Sequence, residues 1–137
     1  MRIPVSVVIA VAAACLLSAC QQTPKSSGAS GASGKSAALR SMERVAAAAY
    51  KCWFASKDQA FRPYRFANEL NSMSGQPRFL LVPAGNFGGL PQLVVQSSGP
   101  SGRVDVFGPL TSTGLGPRIR SDIARWSGGN DSCQASA

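Results

Sequence analysis

The chain reads as an α+β protein: an N-terminal helix, a four-stranded antiparallel meander sheet and a C-terminal helix, closed by one disulfide. Three observations predict this. Apolar residues recur at helical spacing over residues 37–54 and again from Pro117 to Trp126, and four short segments of strand character lie between them. Clusters of Gly, Pro, Ser and Asn separate those segments, so every connection is short and each strand is expected beside its neighbour in sequence.

The first helix is expected over residues 37–54, with Leu39, Met42, Val45, Ala46, Ala49, Cys52 and Trp53 on its apolar side and Arg40, Arg44 and Lys51 together on the opposite one. A turn-rich patch, 55–60, follows. Strands are then expected at about 61–70, 78–82, 90–97 and 103–107. Phe79-Leu80-Leu81-Val82 and Leu93-Val94-Val95 are continuous apolar runs, the pattern of central strands covered on both faces. Tyr64/Phe66 and Val104/Val106 alternate with polar neighbours, and Pro63, which lacks an N–H, suits the start of an edge strand. The chain passes through 111–116 into a second helix with Pro117 at its first position. Ile119, Ile123 and Trp126 form its apolar stripe, and Gly128-Gly129 ends it.

The N-terminus has a different character. Arg2 precedes an apolar run, residues 5–17, that is too short to span a bilayer, and the run closes on Leu17-Ser18-Ala19-Cys20. This stretch resembles the signal peptide and lipobox of bacterial lipoproteins. The resemblance covers residues 1–20 only, and the family of the globular part is not recognised. It implies that residues 1–19 are removed and that the Cys20 thiol carries the diacylglycerol of an acyl lipid anchor such as palmitate. It also implies a lipid-anchored protein of the bacterial cell envelope. With Gln21 rather than Asp after the cysteine, the outer membrane facing the periplasm is the expected place. Residues 20–36 then form the lipidated cysteine and a flexible tether rich in Gln, Ser, Gly and Ala, with a mean reach of about 20–25 Å. Residues 37–137 form a single small domain.

On that reading Cys15 leaves with the signal and Cys20 is taken by lipid, so Cys52 and Cys133 remain as an even pair in an oxidising compartment. A structural disulfide is expected. The pair is not a C-x-x-C redox motif, and zinc would need two further ligands in a chain without histidine.

The inventory for catalysis is thin. There is no histidine, and the six carboxylates, Glu43, Asp58, Glu69, Asp105, Asp122 and Asp131, sit in no catalytic motif. A Ser-Lys pair is formally open to several serines, but nothing marks one out. No catalytic residue, metal site or small-molecule cofactor is expected. The Gly-rich stretch 83–91 lacks the spacing of a phosphate-binding loop and falls between two strands, so it reads as a hairpin connection. Phe87 within it is a candidate aromatic anchor for a protein partner.

Charge completes the picture. Fourteen basic residues face six acidic ones, for a net charge of +8. In the cytosol that balance would suggest nucleic acid, whereas in an envelope the polyanions are lipid headgroups, lipopolysaccharide phosphates and acidic glycans. Arg40, Arg44 and Lys51 are the candidate anionic-surface residues. A plainer account is a solvated face, with Arg118 and Arg125 each one turn from Asp122. The expected function is a non-catalytic interaction module, attached to the membrane through its lipid and binding an envelope protein or an anionic lipid or glycan. The alternative is a small proteinaceous inhibitor of a hydrolase, and an enzyme ranks third.

Overall fold

The computed structural model describes residues 34–134; Cys20, the tether upstream of Gly34 and the last three residues lie outside them. Helix α1 (Ala37–Ala49) starts at Ser36, whose hydroxyl accepts the N–H of Leu39, one of the donors that a helix N-terminus leaves unpaired. It continues into a π-helical turn, Tyr50–Ala55, in which Cys52 and Trp53 are both buried. Lys57, at φ +59°, ends the helix in the left-handed region, and its N–H is accepted by the Phe54 carbonyl.

Four strands follow: β1 (Tyr64–Glu69), β2 (Arg78–Pro83), β3 (Leu93–Ser98) and β4 (Arg103–Phe107). They pair antiparallel in sequence order, so β2 and β3 are central, as their apolar runs predict. Helix α2 (Gly116–Ser127) closes the domain, with Pro117 in its first turn. The α+β architecture, the meander and the Cys52–Cys133 bond are therefore those expected. No helix among the described residues is long and apolar enough to cross a membrane.

Two boundaries differ from the sequence reading. The segment 59–61 is a 3-10 turn rather than the beginning of β1, because Asp58 caps it through the Ala60 N–H and turns Phe61 inward, where its ring stacks 4.4 Å from that of Trp53. Strand β3 starts at Leu93, and Leu90 stays in the connecting loop with 83 % of its surface exposed.

The core lies on one face of the sheet. Phe79 and Leu81 of β2 and Leu93 and Val95 of β3 are fully buried against Met42, Val45, Trp53, Ile119 and Trp126. Leu80 and Val94 alternate with them and so point to the other face, against which no described helix packs. The continuous runs had suggested cover on both faces. Among the described residues no helix supplies that second cover and Leu80 and Val94 are only half-buried, because a run of apolar residues specifies both faces of a strand without specifying what lies over the second.

Candidate functional site

Arg40 and Arg44 sit one turn apart on the exposed side of α1, and both line a cleft of about 440 Å³. Its other walls come from Ser41, Ser101, Gly102, Arg103 and Ser127, so α1, the β3–β4 turn and the end of α2 meet there. No carboxylate lines it. The meeting depends on Gly102, where φ is +67° and an added Cβ would lie 2.7 Å from the Ala37 carbonyl oxygen. Only glycine adopts that conformation readily and also lets the turn touch the helix backbone.

The arginines are partly engaged. Arg40 donates to the Lys35 carbonyl, and Arg103 donates to Asp105 at 3.1 Å. Arg44 makes no ion pair among the described residues. Its Nη1 lies 3.4 Å from where a Cβ on Gly129 would stand, beside the C-terminal end of α2, where the helix dipole favours a cation. Lys51 does not join this cleft: its ammonium reaches the Asp131 carbonyl at 3.4 Å, over the tail that follows α2. The predicted basic face is thus exposed, but it divides into an arginine cleft and a lysine contact to the tail.

That tail is held at several points. Arg125 Nε and Trp126 Nε1 both donate to the Ser132 carbonyl, at 3.0 and 3.1 Å, and the adjacent Cys133 bonds to Cys52 across an 81-residue separation. Buried Cys52 is fixed by the π-helical turn, so the disulfide ties the end of the chain to the end of the first helix.

Phe87 is 65 % exposed in the β2–β3 loop. It is not a free ring, since the Arg65 guanidinium lies 4.5 Å from its centroid, a cation–π contact that leans the loop toward the outer face of the sheet. The loop is braced by Ala84 N–H to Pro63 O and Gln92 N–H to Leu81 O.

Sequence reasoning placed Asp122 only in a helical charge ladder, whereas in the fold it is a buried hub. It is 1 % exposed, accepts from Trp53 Nε1 at 2.9 Å and from Arg125 Nη2 at 2.5 Å, and lies 3.7 Å from Arg118 Nε. Arg118 also donates to Asp58, and this bond holds the Asp58 carboxyl below its ordinary pKa against the opposing effect of burial. The Trp53 contact spans 69 residues, so no local pattern could have revealed it. The Asp122 carboxylate is nearly closed to solvent and both its oxygens accept, one from Trp53 and one from Arg125, which makes it a brace rather than a reactive centre.

Two other hollows add no chemistry. One of about 710 Å³ follows the β1–β2 turn from Asn68 to Ser74 around the Glu69–Arg78 ion pair, and one of about 390 Å³ is lined by Trp53, Phe54, Phe61 and Tyr64 with Asp58 and Arg62 at its side. Among the described residues no group of three His, Cys, Asp or Glu side chains could hold a metal ion. No family model, curated protein or solved structure matches the chain.

Proposed function

We propose that the protein is a lipid-anchored lipoprotein of a bacterial cell envelope, held at the outer membrane on the periplasmic side, and that it acts without catalysis by binding an anionic envelope component through Arg40 and Arg44. The observation that carries this reading is the cleft itself. Three arginines, Arg40, Arg44 and the Asp105-paired Arg103, share it with three serines and no carboxylate. It lies at the start of the first helix, next to the residues that join the domain to the Cys20 segment, so a short tether keeps it near the membrane surface. Like charges one turn apart disfavour the isolated helix by a few tenths of a kcal/mol, which an acidic ligand would reverse. At about 1 kcal/mol per basic residue near an anionic surface, the pair adds salt-sensitive affinity to the anchor.

The test is co-sedimentation of the chain with phosphatidylglycerol vesicles at low salt, with phosphatidylcholine vesicles as the uncharged arm. The double substitution Arg40→Glu, Arg44→Glu is expected to weaken binding about tenfold or more, equivalent to about 1.4 kcal/mol, with an unchanged melting temperature. Equal sedimentation of wild type and variant would refute the role of the cleft. The anchor is tested separately by Cys20→Ser, which should block processing and membrane retention. A correctly cleaved, lipid-free chain beginning at Cys20 would refute that half.

A second reading, a hydrolase inhibitor, is favoured by the exposed Phe87 on a braced loop. It requires a tight one-to-one complex with a hydrolase that Phe87→Ala disrupts.

A further inference from the structure

The outer face of the sheet carries an apolar row that the core does not use. Ala67 is paired with Leu80, Leu80 with Val94, and Val94 with Phe107, so these four residues occupy one line across β1, β2, β3 and β4. None of them belongs to the hydrophobic core, and Phe107 is 46 % exposed. The exposed ring of Phe87 extends the patch on one side, next to Arg65, while Val82 there is buried and adds no surface. On the other side runs a polar row, Glu69, Arg78, Gln96 and Asp105. Its carboxylates are neutralised within the face, Glu69 by Arg78 at 2.6 Å and Asp105 by Arg103 at 3.1 Å.

Charge narrows the choice of what covers this face. It bears three basic side chains, Arg65, Arg78 and Arg103, and two acidic ones, whereas the remaining described residues carry nine basic against four acidic. A nearly neutral, apolar face on a strongly basic domain is poorly suited to a polyanion and does not repel its own copy. We infer that a second copy of this chain packs on it, sheet against sheet, as a two-fold symmetric dimer.

The register selects one arrangement. A two-fold axis parallel to the strands lays β1 over the partner's β4 and β2 over its β3, which sets Phe107 against the partner's Ala67 and Leu80 against the partner's Val94. Large then meets small along the whole row. An axis along the row itself would set Phe107 on its own copy and Ala67 on its own copy, leaving a clash at one end and a gap at the other. Four strands spaced about 4.8 Å apart and five or six residues long present a face of about 20 by 20 Å. With side-chain relief, two such faces bury about 1,000 Å² in total, at the lower edge of specific interfaces. The dimer is therefore weak and concentration-dependent.

The test uses full-length chains expressed together, one carrying Ala67→Cys and the other Phe107→Cys, and treated with a short bis-maleimide. Only molecules that retain the Cys52–Cys133 bond are scored. The mixed pair should give a crosslinked dimer several-fold more abundant than Ala67→Cys chains alone, whose thiols would lie about 14 Å apart, three strand spacings. Leu80→Arg in both copies should remove the crosslink. Sedimentation of the chain without added cysteines provides a second readout: its mean mass should rise with concentration, and Leu80→Arg should hold it at the monomer value while the Cys52–Cys133 bond still forms. Equal crosslinking of mixed and unmixed chains, no dimer from the mixed pair, or a crosslink to a chain of different mass would each overturn the assignment.

Discussion

Replacing Asp122 by alanine should destabilise the domain by about 3 kcal/mol. The substitution leaves Trp53 Nε1 without an acceptor in a residue that is 1 % exposed, and an orphaned buried donor costs about 1–3 kcal/mol. It also strands two guanidinium groups beside one another. Breaking a fully buried ion pair costs about 3–5 kcal/mol, but the discount here is substantial. Arg118 and Arg125 keep 27 % and 19 % of their side-chain surface exposed, Arg118 retains Asp58, and Arg125 retains the Ser132 carbonyl. The two contributions together therefore centre near about 3 kcal/mol, which in a domain of this size lowers Tm by about 12–20 °C. Denaturant unfolding followed by far-UV circular dichroism measures the change without relying on Trp53 as the probe. Asp122→Asn should cost less than Asp122→Ala, because an amide oxygen still accepts from the indole. Repeating Asp122→Ala in a Trp53→Phe background should recover about 1 kcal/mol or more, the coupling between the two side chains. An Asp122→Ala variant within about 1 kcal/mol of wild type, or strict additivity with Trp53→Phe, would show that the hub does not brace the fold.

Two further outcomes follow from the same packing. Reduction of Cys52–Cys133, or Cys52→Ala with Cys133→Ala, releases a loop of 81-residue separation whose closure entropy is worth up to about 4.5 kcal/mol, so the reduced protein should melt far lower; an unchanged melting curve would mean that the tail contacts of Lys51, Arg125 and Trp126 suffice. The Asp58 carboxyl, held below its ordinary value of 3.8 by the hydrogen bond from Arg118, contributes stability that is fully present above that value and is lost as pH falls through the lowered folded-state pKa, so Asp58→Asn should flatten the acid side of the stability profile below about pH 4 and leave its slope near neutrality unchanged.

Much of this was legible in the residues because it depends on local rules. The 3.6-residue period of Met42, Val45, Ala49 and Cys52 specifies an amphipathic helix whatever it packs on, and the Gly, Pro and Ser clusters between short apolar segments specify turns too short for anything but neighbouring antiparallel strands. Counting cysteines identified the bridge once the lipoprotein resemblance had set Cys15 and Cys20 aside. What only the tertiary structure decided involves residues far apart in sequence. The pairing of Trp53 with Asp122, the turn of Phe61 into the core instead of into β1, and the separation of Lys51 from the Arg40–Arg44 cleft all depend on which elements come together after collapse. The outer face, which no described helix covers, is of the same kind. Leu80 and Val94 look like core residues in a one-dimensional pattern, but with two helices, both on the other side of the sheet, the described chain has no element to cover them.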